Sequence, residues 1–589
     1  MLDKVKLRLS WWAFIILTIL ISVFLYRWQV LDYSYYSGLA SDRTKVEQSV
    51  GNRGKILSSD RSVLAYTTPA YDIFVYKVEL NTAEKNKAQT RDEFATKMAT
   101  VLGLDKTKLL SDIETNPSNY FKIAEKIDLD TKNAVLALNK DKSGKKLEGY
   151  IVETTEKRVY PNNEFASHVI GYMGKDIDGN DKANNGVEGY YDGEMKPQKG
   201  QSTVEKDSYG NVILGGQFEQ YASKNGRDIV LTIDRGLQKV LQQKLDEGRD
   251  KYSAVYTSGI IMDPKTGNIL AMALSPEYDP NKYFQSDISV LNNRNVSDPY
   301  EPGSVVKALT ASAGIDSGSV TPDEQLFASH KGCIEISDPK DNGKKWNICV
   351  ASKVPSPGPK DLVKTLQTSD NIGAYMVAKK TGIEKMDSYF RKFGVGKPTG
   401  VGLAEETSSS LKSAANWNEI DLATYSFGQG MSMTPLQVVS AFSTIANGGK
   451  RMKPQIVSSV IDGTDEIPIQ PKLEEQVISE NSASIVRDML VKTFKYNIGA
   501  TPYKKETANY LIAGKSGTAQ IPKTDGPGYD SSSVNATYVG FDANPDPKFV
   551  MIIKINKPKD AAFSTQNAFP LWVSTFLEIK DLLGVQKVQ

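Results

Sequence analysis

The chain is too long for a single hydrophobic core, because 589 residues are expected to form two or three folding units. Its 72 basic and 70 acidic residues are interleaved and leave a net charge of +2, which argues against a nucleic-acid-binding face. Two histidines and two widely separated cysteines have no zinc-site spacing, and no phosphate-binding glycine loop joins a strand to a helix. We therefore expect no metal and no other cofactor.

The N-terminus is predicted to cross a membrane. Residues 9–26 carry no charge and would form about 27 Å of helix, close to the hydrocarbon thickness of a bilayer. Three basic residues precede this span and only Arg27 closely follows it. The asymmetry predicts a cytoplasmic tail over 1–8, an anchor over 9–27 and an extracytoplasmic remainder. A cleaved signal peptide is the alternative, but the span ends in large residues that do not suit a signal peptidase.

The region between the anchor and about residue 222 carries no catalytic motif in a usable context. Residues 28–50 are predicted to be a connector, and 51–222 mix short strands with one helical stretch near 85–103. We therefore assign 28–222 to one non-catalytic domain.

From residue 223 to the end, strand and helix signals alternate, which defines a second domain. Helices between segments of an antiparallel sheet indicate an α+β fold. An amphipathic segment near 570–583 is predicted to pack on that sheet. The predicted strands cover 228–233, 258–274 with a turn at 264–265, 510–521, 536–542 and 548–555; a helix covers 237–247, and a long helical section follows Ser304.

Three short motifs occur in order in this second domain: Ser304-Val-Val-Lys307, Ser369-Asp-Asn371 and Lys515-Ser-Gly-Thr518. The spacing of three places the Ser304 hydroxyl and the Lys307 amine on one helical face. A desolvated lysine can lose its proton and serve as the base for a serine nucleophile. A lysine base also suits a chain with two histidines.

Each motif is weak alone, since Ser-x-x-Lys also fits the sequence at Ser409 and Lys-Thr-Gly recurs at Lys265 and Lys380. The surrounding sequence distinguishes the copies at Ser304 and Lys515 from the other matches. Ser304 follows a Pro-Gly turn and leads into an apolar helix, whose burial would lower the pKa of Lys307. Lys515 ends a predicted strand, where the small residues Gly514 and Gly517 are expected to let a ligand backbone approach.

With these motifs in this order, the chain resembles the class B penicillin-binding proteins, which are monofunctional peptidoglycan transpeptidases. The resemblance extends over nearly the whole chain. Its further segments are Arg53-Gly-Lys-Ile56, Arg158-Val-Tyr-Pro161, Gly186-Val-Glu188, Leu231-Thr-Ile-Asp234, Asp263-Pro-Lys-Thr-Gly267 and Phe427-Gly-Gln-Gly430. It implies a pedestal-like non-catalytic domain and a transpeptidase domain of the penicillin-binding and serine β-lactamase type.

The resemblance also implies catalytic roles. Ser304 would be the nucleophile that accepts the peptidyl group, and Lys307 would be the general base, its pKa lowered by burial and by neighbouring positive charge. Ser369 would relay a proton toward the leaving amine, and Asn371 would hold the substrate amide. Asp370 points the other way and is interpreted as structural.

The third motif would bind the substrate. Lys515 would attract the terminal carboxylate of the donor peptide, with the Ser516 and Thr518 hydroxyls donating to the same group beside Gly517. The backbone N–H groups of Ser304 and Thr518 would form the oxyanion hole. Ser516 stands where the family commonly has threonine, and both residues carry a hydroxyl.

Several other residues receive structural interpretations or none. Arg53 and Glu188 are interpreted as parts of a buried ion pair. His168 and His330 have no visible partner and are assigned no role. Cys333 and Cys349 would close a loop of about 16 residues, and a disulfide there would contribute about 3 kcal/mol in the loop-entropy model, but free thiols remain an open alternative.

The function implied is crosslinking of peptidoglycan stem peptides, with inhibition by β-lactams. The expected partners are the membrane, a multi-spanning glycan polymerase of the SEDS family and cell-division proteins. Local sequence around 393–403, 426–430 and 515–520 favours the septal over the elongation type. Two alternatives stay open: a β-lactamase or carboxypeptidase, in which water accepts the acyl group, and a penicillin-binding sensor or silent scaffold.

Overall fold

The computed structural model describes residues 2–33, 44–140, 146–205, 218–338, 343–350, 355–356, 358–499, 501–523, 526, 528–559 and 563–588. Residues 34–43 of the predicted connector lie outside the described residues. The chain divides into two compact units: Met1–Arg53 with Lys196–Gly226, and Gly54–Met195 with Arg227–Gln589. Each unit is described by itself.

The first unit contains an N-terminal helix and a small sheet. The helix Leu2–Tyr26 continues into a π-helical turn, Arg27–Leu31. Lys4–Leu31 is the one described segment long and apolar enough to cross a membrane, and its described side chains are exposed. The strand Lys199–Glu205 pairs antiparallel with both Thr44–Val50 and Phe218–Tyr221.

A seven-stranded sheet of the second unit joins strands from both sides of residue 222. The strand Asp228–Leu231 pairs in parallel with Ile56–Leu57 and antiparallel with Val457–Asp462. The predicted non-catalytic and transpeptidase regions therefore share one sheet. Its order is Asp465–Pro468, Val457–Asp462, Asp228–Leu231, Ile56–Leu57, Val63–Tyr76 and Tyr120–Ile127, with Tyr150–Val159 also paired to Val63–Tyr76.

The helical stretch predicted near 85–103 is wrong at its start. One helix ends at Lys85, and the next begins after Thr90, whose side chain and that of Glu93 form a reciprocal capping box. The end is as predicted, because Gly103 adopts the left-handed conformation that closes the helix. The helices of this region are Lys77–Lys85, Arg91–Leu102, Lys106–Thr115, Leu129–Ala137, Ser167–Ile170, Gly186–Tyr190 and Asp192–Met195, and a hairpin is formed by Tyr172–Lys175 and Asp181–Asn184.

The buried ion pair predicted for Glu188 is formed with Arg158. Arg158 Nε lies 2.7 Å from Glu188 Oε1, and both side chains are almost fully buried. The same guanidinium donates to the backbone oxygen of Gly54. Burial of one partner alone would be costly, so the pair fixes strand Tyr150–Val159 against the helix Gly186–Tyr190. The role of Arg53 stays a prediction.

A five-stranded antiparallel sheet forms the centre of the transpeptidase region, which confirms the predicted α+β class. Alternate side chains fill two apolar clusters, one on each face. One face packs on Arg235–Lys251 and Ala568–Ile579, and the other on Pro435–Ala446 and Glu480–Ile498. The strand order is Ile269–Ser275, Tyr256–Met262, Val550–Asn556, Tyr529–Asp542 and Ile512–Pro522.

The last helix, Ala568–Ile579, packs on that sheet as predicted, with Trp572 and Phe576 fully buried. A helical section stands between Ile269–Ser275 and Ile512–Pro522, the second and third strands of the sheet in chain order. Its other elements are Arg294–Ser297, Gly303–Val306 (3-10), Lys307–Asp316, Leu362–Gln367, Asn371–Thr381, Ile383–Lys392 and Glu419–Ser426, with the strands Cys333–Asp338, Lys344–Cys349, Lys450–Met452 and Leu473–Gln476 and the short helix Lys504–Thr507.

Candidate active site

Ser304 lies in a 3-10 turn, Gly303–Val306, directly before the helix Lys307–Asp316. The sequence predicts an α-helix here and the structure has a 3-10 turn. Ser304 and Lys307 nevertheless lie on one face, as expected. Residues three apart eclipse one another in a 3-10 turn, and Ser304 Oγ lies 3.0 Å from Lys307 Nζ. The turn thus presents the hydroxyl directly to the amine.

The Lys307 amine is surrounded by oxygen atoms and is only 1 % exposed. Its Nζ lies 2.6 Å from the backbone oxygen of Ser369, 2.6 Å from Asn371 Oδ1 and 3.3 Å from Ser369 Oγ. A neutral amine has two N–H donors and one lone pair. The two shortest contacts use both donors, which leaves the lone pair for the Ser304 hydroxyl.

The electrostatics favour this neutral form. Burial lowers the pKa of Lys307 well below the ordinary lysine value, the Lys515 cation lowers it further, and Asp370 acts in the opposite direction. Both causes expected from the sequence, burial and positive charge, are confirmed. Lys307 therefore has the environment of a general base.

Lys515 lies on the edge strand Ile512–Pro522 and is also 1 % exposed. Its Nζ donates to Ser369 Oγ at 3.0 Å and to the backbone oxygen of Ser516 at 3.0 Å. Burial lowers the pKa of Lys515 to about 7. The Ser369 hydroxyl thus bridges two lysines, a geometry in which a proton can pass between them.

The turn that carries Ser369 is strained and firmly held. Ser369 has φ of 53°, a left-handed conformation that costs a non-glycine residue about 1–2 kcal/mol. Asp370 caps the following helix, because its Oδ1 accepts from the backbone N–H groups of Ile372 and Gly373 at 2.9 and 3.2 Å. These bonds agree with the structural interpretation of Asp370.

His330 was expected to have no partner, and this expectation is wrong. Its Nε2 lies 3.0 Å from Asp370 Oδ2, which also accepts from Lys360 Nζ at 2.8 Å. The N–H of Gly332 donates to His330 Nδ1 at 3.0 Å, so the proton of the neutral ring is on Nε2. Burial raises the pKa of Asp370, but the bonds from Lys360 and His330 outweigh it and hold that pKa below the ordinary value.

His168 lies elsewhere in the fold, with Nε2 2.8 Å from the backbone oxygen of Val290. Burial lowers the pKa of His168 to about 4, so the ring is neutral near pH 7. The expectation that His168 has no partner is therefore wrong as well, and no hydrogen bond between described residues joins its ring to the serine and lysine cluster.

Asn371 is held at both ends of its carboxamide. Oδ1 accepts from Lys307, and Nδ2 donates to the backbone oxygen of Cys349 at 2.8 Å. Cys349 belongs to a hairpin and forms a disulfide with Cys333, so the free-thiol alternative is wrong. Asn371 therefore links the base to this hairpin.

The glycines of the third motif accommodate the chain itself, which corrects the expectation that they admit a ligand backbone. A Cβ on Gly517 would lie 2.8 Å from the backbone oxygen of Pro302 and 2.9 Å from Val305 Cγ1. A Cβ on Gly514 would lie 2.4 Å from the Tyr538 hydroxyl. Gly517 thereby lets the turn that carries Ser304 approach the edge strand.

A cavity of about 710 Å³ opens over these groups. Ser304, Ser369, Asn371, Ser516 and Thr518 line it, as the sequence predicts, while the two lysine amines lie buried beneath. No group of three or more His, Cys, Asp or Glu side chains suited to a metal occurs in the described part of the chain. Sequence reasoning missed the lining residues Cys349, Val350, Thr368, Phe427, Gln429, Gln520, Val534, Phe563, Ser564 and Thr565.

Among the lining residues that sequence reasoning missed, Ser564 is hydrogen-bonded to Thr518 of the third motif. Its backbone N–H donates to Thr518 Oγ1 at 3.0 Å, and the two hydroxyl oxygens lie 3.1 Å apart. No motif marks residues 563–565, whereas Gln429 belongs to the Phe-Gly-Gln-Gly segment and could have been found from it.

Two family profiles and many relatives match this chain. Residues 257–571 match the penicillin binding protein transpeptidase domain, and residues 48–231 match the penicillin-binding protein dimerisation domain. The chain is 30 % identical over 514 residues to stage V sporulation protein D of Bacillus subtilis, covering 86 % of this chain and 74 % of that protein. It is 28 % identical over 520 residues to the peptidoglycan D,D-transpeptidase FtsI of Escherichia coli, covering 87 % and 81 %.

Solved structures show the same fold. Penicillin binding protein 2X from Streptococcus thermophilus superposes with a TM-score of 0.69 at 24 % identity, over 92 % of this chain and 81 % of that chain.

We predict that Lys307→Arg leaves Ser304 nearly unreactive toward penicillin although the positive charge is kept. A guanidinium stays protonated in a protein and cannot accept the serine proton. The measurement is the acylation rate with a labelled penicillin. Lys360→Arg is a matched control that leaves the Ser304–Lys307 contact in place. A rate for Lys307→Arg within about tenfold of the wild type would contradict the role of base.

Proposed function

This chain belongs to class B of the penicillin-binding proteins, and we propose that it crosslinks peptidoglycan stem peptides through an acyl-enzyme on Ser304. The observation that carries the proposal is the continuous contact from Ser304 Oγ through Lys307 Nζ and Ser369 Oγ to Lys515 Nζ. It combines a nucleophile, a neutral base and a proton path in one cavity.

In the first half of the reaction, Lys307 takes the proton of Ser304 as Oγ attacks the carbonyl carbon of the penultimate donor residue. The C–N bond to the terminal residue breaks, and the leaving amine receives a proton through Ser369. Because Gly517 lets the Ser304 turn approach the edge strand, we assign the oxyanion hole to the N–H groups of Ser304 and Thr518.

In the second half, an amine of a neighbouring stem peptide attacks the ester. The attacking amine loses a proton to the same path of Lys307 and Ser369. The ester bond then breaks, and Ser304 Oγ is released as the hydroxyl. The positions of the partners support this reuse, since Lys307 Nζ is hydrogen-bonded to Ser304 Oγ at 3.0 Å.

Substrate binding is assigned to the third motif and to Asn371. Lys515 supplies positive charge for the donor carboxylate, and Ser516 and Thr518 line the cavity beside it with Gly517 between them. Thr518 Oγ1 accepts from the Ser564 N–H at 3.0 Å and donates to Ser564 Oγ at 3.1 Å, so a bound carboxylate would receive the Thr518 proton in exchange for this second bond. Asn371 would hold the substrate amide by exchanging its bond to Cys349.

The first alternative, a β-lactamase or carboxypeptidase, differs in using water as the acceptor. The second, a sensor or silent scaffold, is disfavoured by the complete contact chain around Ser304. Both the septal and the elongation type of transpeptidase fit this geometry, and we favour the septal type on the local sequence.

We propose that residues 1–8 are a cytoplasmic tail and that residues 9–27 anchor the protein in the cytoplasmic membrane. Residues 28–222 would form the non-catalytic domain and residues 223–589 the transpeptidase domain, both outside that membrane. Lys4–Leu31, the one helix among the described residues that is long and apolar enough to span a bilayer, supports this crossing. A multi-spanning SEDS-family polymerase and cell-division proteins are the proposed partners. Ala13, Thr18 and Ser22 offer small or polar contacts within the bilayer.

We predict that labelled penicillin forms its adduct on Ser304. Digestion and mass spectrometry should place the label on the peptide that contains this residue, because its hydroxyl lies nearest the neutral base, at 3.0 Å against 3.3 Å for Ser369 Oγ. Ser304→Ala should remove the label, whereas Ser312→Ala, in the helix that follows the Ser304 turn, should keep it. An adduct elsewhere would reject the assignment.

The acylation by a carboxylate-bearing penicillin should fall in Lys515→Ala by about tenfold or more, because a charge-assisted hydrogen bond contributes about 1.5–3 kcal/mol. In the wild type the rate should also decline as pH rises past about 7, since Lys515 then loses its proton. Both effects should shrink for the penicillin methyl ester. Equal losses for acid and ester would place the role of Lys515 at the oxyanion or the fold.

We expect the tagged protein at midcell, and filamentous or chained cells on its depletion. The measurement is fluorescence microscopy of growing cells. Lateral localisation with rounded, swollen cells would assign the protein to elongation and leave the chemistry unchanged.

A further inference from the structure

A buried carboxylate stands close to the catalytic base. Asp370 lies between Ser369 and Asn371 in the chain, and both of these neighbours contact Lys307 Nζ. The Asp370 side chain is only 1 % exposed, so little water screens its charge from the lysine. A negative charge in this position favours the ammonium form of Lys307. The ammonium cannot act as a base, and the carboxylate therefore works against the catalytic role of the lysine.

Both oxygen atoms of Asp370 are engaged by donors. Oδ1 caps the helix that follows, through the backbone N–H groups of Ile372 and Gly373. Oδ2 accepts from His330 Nε2 at 3.0 Å and from Lys360 Nζ at 2.8 Å. All of these donors hold the carboxylate in place, but they differ in what they do to its charge.

Lys360 is the donor that brings a positive charge. The two backbone groups are neutral dipoles. His330 is a neutral donor as well, because its Nδ1 accepts from the N–H of Gly332 at 3.0 Å and a second ring proton would break that bond. The Lys360 side chain is 17 % exposed, so its ammonium keeps part of its hydration while it contacts Asp370. The ion pair thus cancels a charge that the other donors only orient.

The backbone fixes Lys360 in this position. Its N–H donates to the backbone oxygen of Phe327 at 3.2 Å, and its own oxygen accepts from the N–H of Leu326 at 2.9 Å. The ammonium also donates to Thr368 Oγ1 at 3.1 Å. The fold therefore directs the Lys360 ammonium at Asp370, and the ion pair does not depend on a freely moving side chain.

The charges that act on Lys307 come from two sides. Burial and the Lys515 cation, on the edge strand, lower the pKa of Lys307. On the side of the second motif, Asp370 raises that pKa and Lys360 lowers it again. From the serine turn and from the disulfide hairpin, no charged side chain contacts the amine in the part of the chain that the structure describes. Asp370 is thus the one listed influence that opposes the base, and Lys360 opposes Asp370.

We propose that Lys360 is a positioning residue of the catalytic base. By neutralising Asp370, it keeps Lys307 free of its proton at pH values where the carboxylate alone would restore the ammonium. Lys360 thereby sets the lower pH limit for acylation of Ser304. This inference rests on the proposed acyl-enzyme function and names what regulates the base in the same site.

The test is the pH dependence of acylation by penicillin methyl ester, followed by mass spectrometry of the intact protein. The ester offers no carboxylate to Lys515, so the slowing toward low pH is read without the alkaline loss that Lys515 causes. Each variant gives the plateau rate and the pH at which the rate is half of that plateau. A purely structural defect lowers the plateau and leaves the half-rate pH unchanged.

Lys360→Met should raise the half-rate pH by about one unit, because Lys307 then keeps its proton to higher pH. Lys360→Arg keeps the charge and should keep the wild-type value. Asp370→Asn should lower the half-rate pH, since asparagine still caps a helix but carries no charge. The double variant, with Lys360→Met and Asp370→Asn, should return close to the wild-type value.

Lys364→Met is the matched control for loss of a nearby cation. Lys364 is an exposed residue of the helix Leu362–Gln367, and its ammonium makes no hydrogen bond to Asp370 in the described structure. Its half-rate pH should equal that of the wild type. A shift as large as that of Lys360→Met would attribute the effect to net charge and overturn the proposal.

The proposal would also be overturned by an unmoved half-rate pH in Lys360→Met, with or without a lower plateau. A shift in Lys360→Met that persists in the double variant would show that the charge does not act through Asp370, and the proposal would again be wrong. These outcomes leave the transpeptidase function intact. Failure of the wild type to form an adduct with penicillin itself would overturn the proposed function.

Discussion

The burial of Lys307 beside Ser304 is the constraint on which the site depends. Its amine is buried and makes no hydrogen bond to a carboxylate in the described part of the chain. Its partners there are the backbone oxygen and hydroxyl of Ser369, the Asn371 carboxamide and the Ser304 hydroxyl. Dipoles compensate a buried ammonium poorly. The neutral amine is therefore the stable form, and the same arrangement that penalises the cation produces the base.

The Ser369 carbonyl and the Asn371 carboxamide must be held in place if Lys307 is to stay neutral. That requirement explains the structure around Asp370. Ser369 is kept in a strained left-handed conformation so that its oxygen points at Lys307. Asp370 fixes the next turn through Lys360 and His330, which together compensate its buried charge. A carboxylate thus stabilises the second motif without contacting the base, where it would restore the ammonium.

The sequence predicted what is local and missed what is distant. The Ser304 to Lys307 spacing, the strand at Lys515 and the last helix follow from periodicity and motif context. His330 and Ser564 reach the site across 40 and 46 residues, to Asp370 and Thr518, and no local pattern encodes such a contact. Gly517 was correctly singled out but for the wrong partner, because the atom that requires its missing side chain belongs to Pro302.

The two buried lysines give the site a further property. Ser369 Oγ lies within 3.3 Å of both amines, so the charges of two ammonium groups would repel one another in a medium with little screening. One proton is more easily held than two. A carboxylate that arrives beside Lys515 fixes that proton on the far lysine and leaves Lys307 neutral. Binding of an anionic donor and formation of the base are then a single electrostatic event, which explains why the nucleophile is paired with a lysine and why a second lysine stands behind it.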